Sequence, residues 1–461
     1  MATWKAVILA AGQGKRMRSR IPKPLHLLAG KPILLHLIEQ VESAGFPRPI
    51  VVIPNQDTLI SQALNGRADL AIQRIPSGTG DALISALDTL QENVEHCLVI
   101  NADLPLLRSQ SICDLVSAHV ESNASITLLT TCDSSQAGLG RIIRKPNGGS
   151  TRIVEANDAS LKERQIPEVN GGVYAFHLRP LRKNLAELKP SSSGELYVTD
   201  LVAITDKNGQ TVDSVSVSDP IELLGINDRV DLSEAELAVS QRTRIYWMLQ
   251  GVTLIDPYST FIESTVTIGN DTVVHPNTHI RGQTTIGTDC SIGPNSIVTN
   301  SIIGVECKVT SSVIEHSVLE DQVNIGPFSD LRAGTHVEQN GHIGNYVEVK
   351  ASHLGSGIKV GHFSYLGDAH IGQDVNIRAG TVTCNYDGAG KHPTTIGNNV
   401  LIGSDTMLVA PVRIGDHAIT GAGAVVTDDV PENSLVVGVP ARIADHTNPE
   451  PRNLKRRTNI G

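Results

Sequence analysis

Apolar and polar positions along the chain follow two different rhythms. From Lys5 to about Asn227 short apolar runs alternate with longer amphipathic stretches: Ala6-Val7-Ile8-Leu9, then Ile33 to Val41, Pro49-Ile50-Val51-Val52-Ile53, Ala82 to Leu90, and Cys97-Leu98-Val99-Ile100. Strand, helix and strand in alternation predict an α/β domain, a mainly parallel sheet with helices on both faces. Ligands of such sheets bind beyond the carboxyl ends of the strands. Two polar motifs stand at that place, the glycine-rich turn after Leu9 and Asn101-Ala102-Asp103 after Ile100.

Past residue 250 the rhythm changes. Ile262, Ile268, Val274, Ile280, Ile286, Ile292 and Val298 recur every sixth residue, and the phase slips and resumes at Ile325, Leu331, Val337, Ile343 and Val349, at Val360 and Leu366, and at Ile396, Ile402, Leu408 and Ile414. One inward aliphatic side chain per six residues predicts short strands, three of which close one coil of a triangular solenoid. Between the two patterns, Ser233 to Gln250 is free of Gly and Pro and reads as a connecting helix, with Ser233 and Glu236 as a candidate capping box and Gly251 as the stop. The resulting division is 1–228, a linker helix over 229–249, and 250–461.

Composition narrows the function. The chain has 461 residues, too many for one typical core, with 40% hydrophobic and 19% charged residues. Of its 41 glycines 25 lie after residue 250, as small repeated units require. A formal net charge of −10 argues against nucleic acid as a partner, and the short basic run Lys455-Arg456-Arg457 does not reverse it. No apolar run approaches the length of a membrane span and no signal-peptide layout precedes Lys5, so the expected location is the cytoplasm. The six scattered cysteines form no CxxC and read as reduced thiols; the sixteen histidines form neither HxH nor HExxH.

In the first half, Leu9-Ala10-Ala11-Gly12-Gln13-Gly14-Lys15-Arg16-Met17 follows a predicted strand, so its backbone N–H groups can line a phosphate-binding turn to which Lys15 and Arg16 bring cations. Pro22-Lys23-Pro24, six residues beyond Arg16, fixes a lysine for a second phosphate. Asp103 at a strand end offers a carboxylate and Asn227 an amide oxygen, hard groups of the kind that hold a divalent metal. In the second half the regular coils have no need of Arg332, Lys350, His362, Tyr365, Asn376 or Lys391. A histidine ordinarily titrates near neutrality, the range that suits a general base, which makes His362 the candidate for that role.

The turn with Lys23 resembles the signature of the sugar-nucleotide pyrophosphorylases. Together with the linker helix, the solenoid and the strings Gly361-His362-Phe363-Ser364-Tyr365-Leu366-Gly367-Asp368 and Ala379-Gly380-Thr381-Val382-Thr383-Cys384-Asn385-Tyr386-Asp387-Gly388, it makes the chain resemble, from residue 5 to about 442, the bacterial bifunctional N-acetylglucosamine-1-phosphate uridyltransferase / glucosamine-1-phosphate N-acetyltransferase family. The resemblance implies a Rossmann-like nucleotidyltransferase domain followed by a left-handed parallel β-helix, and a homotrimer with acetyl sites in the clefts between subunits. It implies UTP, acetyl-CoA and sugar 1-phosphates as substrates, Mg²⁺ as cofactor, and UDP-N-acetylglucosamine for cell-envelope polymers as product.

On the same resemblance, the nucleotide and its sugar meet Leu9, Ala10, Ala11, Gly12, Lys23, Gln73, Gly78, Thr79, Asn101, Ala102, Asp103, Gly140, Glu155, Asn170 and Asn227, with Arg16 and Lys23 in catalysis and Asp103 with Asn227 on the metal. Glucosamine 1-phosphate meets Arg332, Lys350, Tyr365, Asn376 and Lys391. Acetyl-CoA meets Ala379, Asn385, Tyr386, Ser404 and Ala422, and Arg442 stands in for the family's arginine near the CoA phosphates. Asn385 is also placed to orient the amine. The sequence departs from the family at Ala102, Leu139 and Gly171, where glycine, an aromatic residue and threonine are usual. The two rival readings, a single-function nucleotidylyltransferase with an oligomerising solenoid and a non-catalytic scaffold of the same plan, leave either the second-half residues or the complete set Lys15, Arg16, Lys23 and Asp103 without a purpose.

Overall fold

The computed structural model describes residues 3–12, 14–55, 58–75, 77–132, 138–145, 150–156, 158–191 and 194–444; the basic run at 455–457 lies outside them. The chain divides into two compact units, Met1–Val239 and Ser240–Gly461.

The main sheet of the first unit runs in the order Val212–Ser216, Ile126–Cys132, Glu168–His177, His96–Asn101, Trp4–Leu9, Ile50–Pro54, Asp69–Gln73. Its pairings are parallel except those of Glu168–His177, which is antiparallel to both neighbours and also holds the antiparallel pair Arg141–Arg144 and Ser150–Val154. Alternate side chains serve opposite faces, as strand geometry dictates. Ile8, Val51 and Leu98 pack with Leu34, Leu37, Ile112 and Leu115 of the helices Ile33–Ser43 and Ser109–Ser122. Val7, Val52 and Val99 pack with Leu83, Ala86 and Leu201 of the helices Thr79–Leu87 and Asp200–Lys207.

The second unit has three sheets of two- and three-residue strands, parallel except for the last pair of one sheet, Leu435–Val437 with Arg442–Ala444. Face 1 begins at Thr253–Leu254, face 2 at Phe261–Ile262 and face 3 at Thr267–Ile268, and each coil adds one rung to each face. The six-residue aliphatics are the core: Ile280, Ile292, Val298, Leu331 and Leu366 have no exposed surface. Val274, Ile292, Val309 and Ile325 stack in one column, so successive coils take 18, 17 and 16 residues, and this accounts for the phase slips. Between Ile377 and Ile402 the step is 25 residues; the surplus is the loop following Val382–Cys384 that carries Asn385, Tyr386 and Lys391.

The connecting helix runs from Arg229 to Leu249, so the capping box expected at Ser233 and Glu236 is wrong. Asp228 caps instead, its carboxylate accepting from Val230 N and Asp231 N, while the Asp231 carboxylate accepts in return from Asn227 N and Asp228 N. Ser233 lies inside the helix, and Glu236 accepts from Ala29 N at 2.8 Å. Gly251, at φ +89°, ends it as expected.

Candidate functional site

The polar ends of the first unit's strands converge on one cleft. Leu9 and Asn101 are cross-strand neighbours and Gln73 ends its own strand, so all three present side chains beyond the carboxyl edge. After Leu9 the chain makes two short 3₁₀ turns, Lys15–Met17 and Lys23–Leu25. Gly14, at φ +57°, lets them close, because a Cβ there would lie 2.7 Å from Lys23 Cβ. The cleft encloses about 620 Å³ and brings together Leu9 to Gly12, Lys15, Arg16, Lys23, Gln73, Gly78, Thr79, Asn101, Ala102, Asp103 and Asn227.

Two charge-assisted pairs organise its centre. Lys23 Nζ lies 2.6 Å from Asp103 Oδ2, and Arg16 Nη2 donates to Asn227 Oδ1 at 2.8 Å. Asn227 Nδ2 is committed to Gly225 O at 3.0 Å, which leaves its oxygen facing the cleft. A Cβ on Gly225 would sit 3.8 Å from Asn227 Nδ2 and 3.9 Å from Asp103 Oδ1, so the two side chains flank one small space. One carboxylate and one amide oxygen are hard ligands of the kind that hold a small divalent cation together with water and phosphate oxygens. Among the described residues no group of three or more His, Cys, Asp or Glu gathers to hold a metal.

A second lobe of about 550 Å³ continues the cleft past Leu139, Gly140, Glu155, Asn170, Gly171 and Tyr174. Burial pushes the Glu155 carboxyl above its ordinary range although Thr199 Oγ1 donates to it at 2.7 Å, and Asn170 Nδ2 donates to Tyr174 Oη at 2.7 Å. The strand pairing shifts register between Asn170 and Tyr174, a bulge that aims these side chains at the cleft. Gly171 is the bulge's tight point: a Cβ would meet Leu223 Cδ1 at 2.5 Å and Leu129 O at 2.9 Å, so the space of the family's usual threonine is filled here by Leu223. Sequence reading missed Glu195, Tyr197 and Thr199, which reach these walls from segments with no strand-end motif, and Asp81, which bonds Gln73 of the wall.

In the second unit the candidate residues fall into two groups. The backbone ladder Phe363 N to Asn345 O, Gly380 N to His362 O, Asp405 N to Ala379 O and Gly423 N to Ser404 O stacks Asn345, His362, Ala379, Ser404 and Ala422 along the edge between faces 1 and 2. His362 Nδ1 bonds Asn345 Oδ1. With Nδ1 turned to the Asn345 amide, Nε2 is the ring nitrogen left to meet a substrate.

The other group lies where face 2 turns into face 3. Arg332 Nη1 pairs with Glu348 Oε1 at 2.7 Å, and Asn385 Nδ2 donates to Asp368 Oδ2 at 2.6 Å and lies 3.4 Å from Tyr365 Oη. The Lys391 ammonium, with Arg332, pulls the Lys350 pKa below its usual value, as crowded cations must. Lys391 is held up by its own loop: Asp387 accepts from Ala389 N and Gly390 N at 2.8 Å and from His392 Nε2 at 2.6 Å, and Tyr386 bridges Lys391. Asn385 thus stands with the cations and not on the edge with Ala379 and Ser404. Asn376 lies on face 1 between Lys359 and Leu401, three residues before Ala379, and Arg442 is exposed near Asp428 at 3.6 Å. Asn345, Glu348 and Asp368 were missed, although Asp368 closes a motif already singled out.

Comparison with known proteins agrees with this division. The MobA-like NTP transferase domain model matches residues 6–175, and the bacterial transferase hexapeptide model, six repeats, matches 265–300 and 393–428. The chain is 42% identical over 434 residues to a protein of Carboxydothermus hydrogenoformans named bifunctional protein GlmU, covering 94% of this chain and 97% of that one. Proteins of the same name from Desulfitobacterium hafniense and Heliobacterium modesticaldum are 42% and 44% identical, covering 95% and 94% of this chain and 96% and 94% of their own.

Proposed function

The chain belongs to the GlmU family of bifunctional proteins, an enzyme with a uridylyltransferase half and an acetyltransferase half, and on that premise we propose which residues do the work and in what assembly. The observation that carries the reading is the gathering of Lys23, Asp103, Arg16 and Asn227 at the strand ends of one half while His362 and the Arg332, Lys350 and Lys391 cations stand on the coils of the other.

In the acetyl reaction Arg332, Lys350 and Lys391 neutralise the phosphate of glucosamine 1-phosphate, and Tyr365 with Asn385 orients the sugar and its amine. His362 Nε2 takes a proton from the ammonium. The freed nitrogen attacks the acetyl carbonyl carbon, the C–S bond breaks, and the second proton of the nitrogen passes to the departing sulfur, so that CoA leaves as the thiol. The small side chains of Ala379, Ser404 and Ala422 leave room along the edge for the pantetheine arm.

N-acetylglucosamine 1-phosphate then enters the first half, where Glu155, Asn170 and Gly140 meet the sugar. A phosphate oxygen attacks the α-phosphorus of UTP, the bond to the β-phosphate oxygen breaks, and pyrophosphate leaves. Arg16 and Lys23 meet the anionic oxygens where charge builds up. Mg²⁺, held by the Asp103 carboxylate and the Asn227 amide oxygen, would supply the remaining neutralisation of phosphate charge. The product is UDP-N-acetylglucosamine for cell-wall synthesis in the cytoplasm; no helix among the described residues is long and apolar enough to cross a membrane.

The acetyl site takes two subunits of a trimer. His362 precedes the strand Tyr365–Gly367 and Asp368 follows it, so the base and the cation cluster stand at opposite edges of the same face. A neighbouring copy that brings its edge to this one closes the site. One assay tests the whole reading: the purified protein with glucosamine 1-phosphate, acetyl-CoA, UTP and Mg²⁺ should yield UDP-N-acetylglucosamine, identified by mass. Failure to form it, with either reaction absent when its own substrates are supplied, overturns the assignment for that half.

A further inference from the structure

Gln73 ends the strand Asp69–Gln73 in the wall of the nucleotide cleft and is 3% exposed. Its amide nitrogen donates twice, at 2.8 Å to Asp81 Oδ2 and at 3.0 Å to Gly78 O. A primary amide has two N–H donors, and both are consumed. Both partners are acceptors, so turning the amide over would set its oxygen against two oxygens. The orientation is therefore fixed by chemistry, and the group left for a ligand is the carbonyl oxygen, which accepts no hydrogen bond from another described residue.

Asp81 lies in the first turn of the helix Thr79–Leu87, where any carboxylate is favoured by the helix dipole. The dipole explains a negative charge there and not its bond to a buried amide on a neighbouring strand. We propose that Asp81 is a positioning residue that sets base specificity: by locking Gln73 as an acceptor it makes the site read an N–H donor on the base. The imide N–H of uracil or thymine satisfies it. Cytosine presents a ring nitrogen lone pair at that position and leaves the buried oxygen unpaired, a mismatch that binding sites reject strongly. The inference rests on the reading of Gln73 as the base contact.

The test compares kcat/KM for UTP and for CTP, with N-acetylglucosamine 1-phosphate held constant, in the full-length enzyme and in Asp81→Asn, Asp81→Ala and Asp81→Glu. Asparagine carries its own NH₂ and lets the Gln73 amide turn over, so Asp81→Asn should lower the UTP to CTP ratio about ten- to a hundredfold, the discrimination carried by a good base contact. Most of the change should appear in KM, and calorimetric titration with UTP and CTP should show it without turnover. Asp81→Ala should lower the ratio less, and Asp81→Glu should keep most of it. A structural role alone would weaken both nucleotides alike. Unchanged ratios in Asp81→Asn and Asp81→Ala proteins that retain acetyl transfer and a native circular dichroism spectrum would overturn the proposal. If Asp81→Asn does not fold, Asp81→Ala decides: without the carboxylate the Gln73 amide is held by Gly78 O alone, and full retention of the UTP preference counts against the lock. Gln73→Ala separates the two levels. Loss of discrimination there but not at Asp81 sinks the positioning role alone, whereas no loss at either residue removes Gln73 from the base site.

Discussion

Lys23 and Asp103, 80 residues apart in the chain, meet through Nζ and Oδ2 at 2.6 Å at the centre of the nucleotide cleft, with both side chains largely buried. The pair holds a carboxylate at a strand end and a cation beside it before any phosphate arrives. Asp103→Ala should reduce pyrophosphate release at least about a hundredfold, as expected when transition-state charge loses its neutralisation. Thiol release from acetyl-CoA should stay near normal, and assaying both products on one preparation checks the separation.

His362→Ala should lower acetyl transfer by about two to four orders of magnitude, the usual effect of removing a general base, with uridylyl transfer intact. Asn345→Ala removes the ring's partner and should give a smaller loss of acetyl transfer. An unchanged rate would show that Asn345 does not orient the ring.

Lys391→Ala removes a charge-assisted contact and should raise the KM for glucosamine 1-phosphate about tenfold or more. Because His362 and Lys391 stand at opposite edges of face 2, refolding His362→Ala and Lys391→Ala chains together should restore part of the acetyl activity if each site draws its edges from two chains. A fully active monomer by light scattering would rule out the shared site.

The helix Arg229–Leu249 decides where the first unit can be cut. Ala235 is fully buried and Val239 nearly so, both packed with Met17, Leu28 and Ile226. A fragment ending at Gln250 should therefore carry uridylyl transfer alone. One ending at Arg229 should melt several degrees lower, having lost buried apolar surface worth about 2 kcal/mol or more. Equal melting temperatures in thermal unfolding would contradict this.

At the edge of the sheet remote from the cleft, His119 Nε2 and His96 Nδ1 are 3.2 Å apart, beside Trp4 and His177. Burial, with His96 and His177 nearby, pushes the His119 pKa down to about 4. Its folded pKa is below its unfolded one, so the neutral ring's contribution is complete above about pH 6.5 and is lost as the pH falls towards 4. The loss should amount to about 3 kcal/mol at most. His119→Gln should flatten the stability curve of the first unit in that window, measured by urea unfolding at pH 7.5 and 5.

The periodicities determined the architecture because hydrophobic burial repeats with the backbone: unbroken apolar runs within Trp4–Leu9 and Ile50–Pro54, whose sheet is covered on both faces, and one residue in about six from Ile262 on. The strand-end motifs followed from the same logic, since Leu9 and Asn101 fall where parallel strands stop, whereas Gln73 was reached only through the family resemblance. Tertiary structure alone decided what depends on partners distant in sequence. It placed the helix cap at Asp228 and not at Ser233, because the reciprocal Asp228 and Asp231 bonds were available upstream and Glu236 was drawn to Ala29 N. It filled the space beside Gly171 with Leu223, and set Asp81 on Gln73 and Asn345 on His362. It also set Asn385 beside Asp368 and Asn376 on another face, since a coil's corner, not its place in a motif, fixes which neighbours a side chain meets. Short-range pattern carries the backbone's periodicity; the contacts that tune chemistry join residues the pattern treats as unrelated.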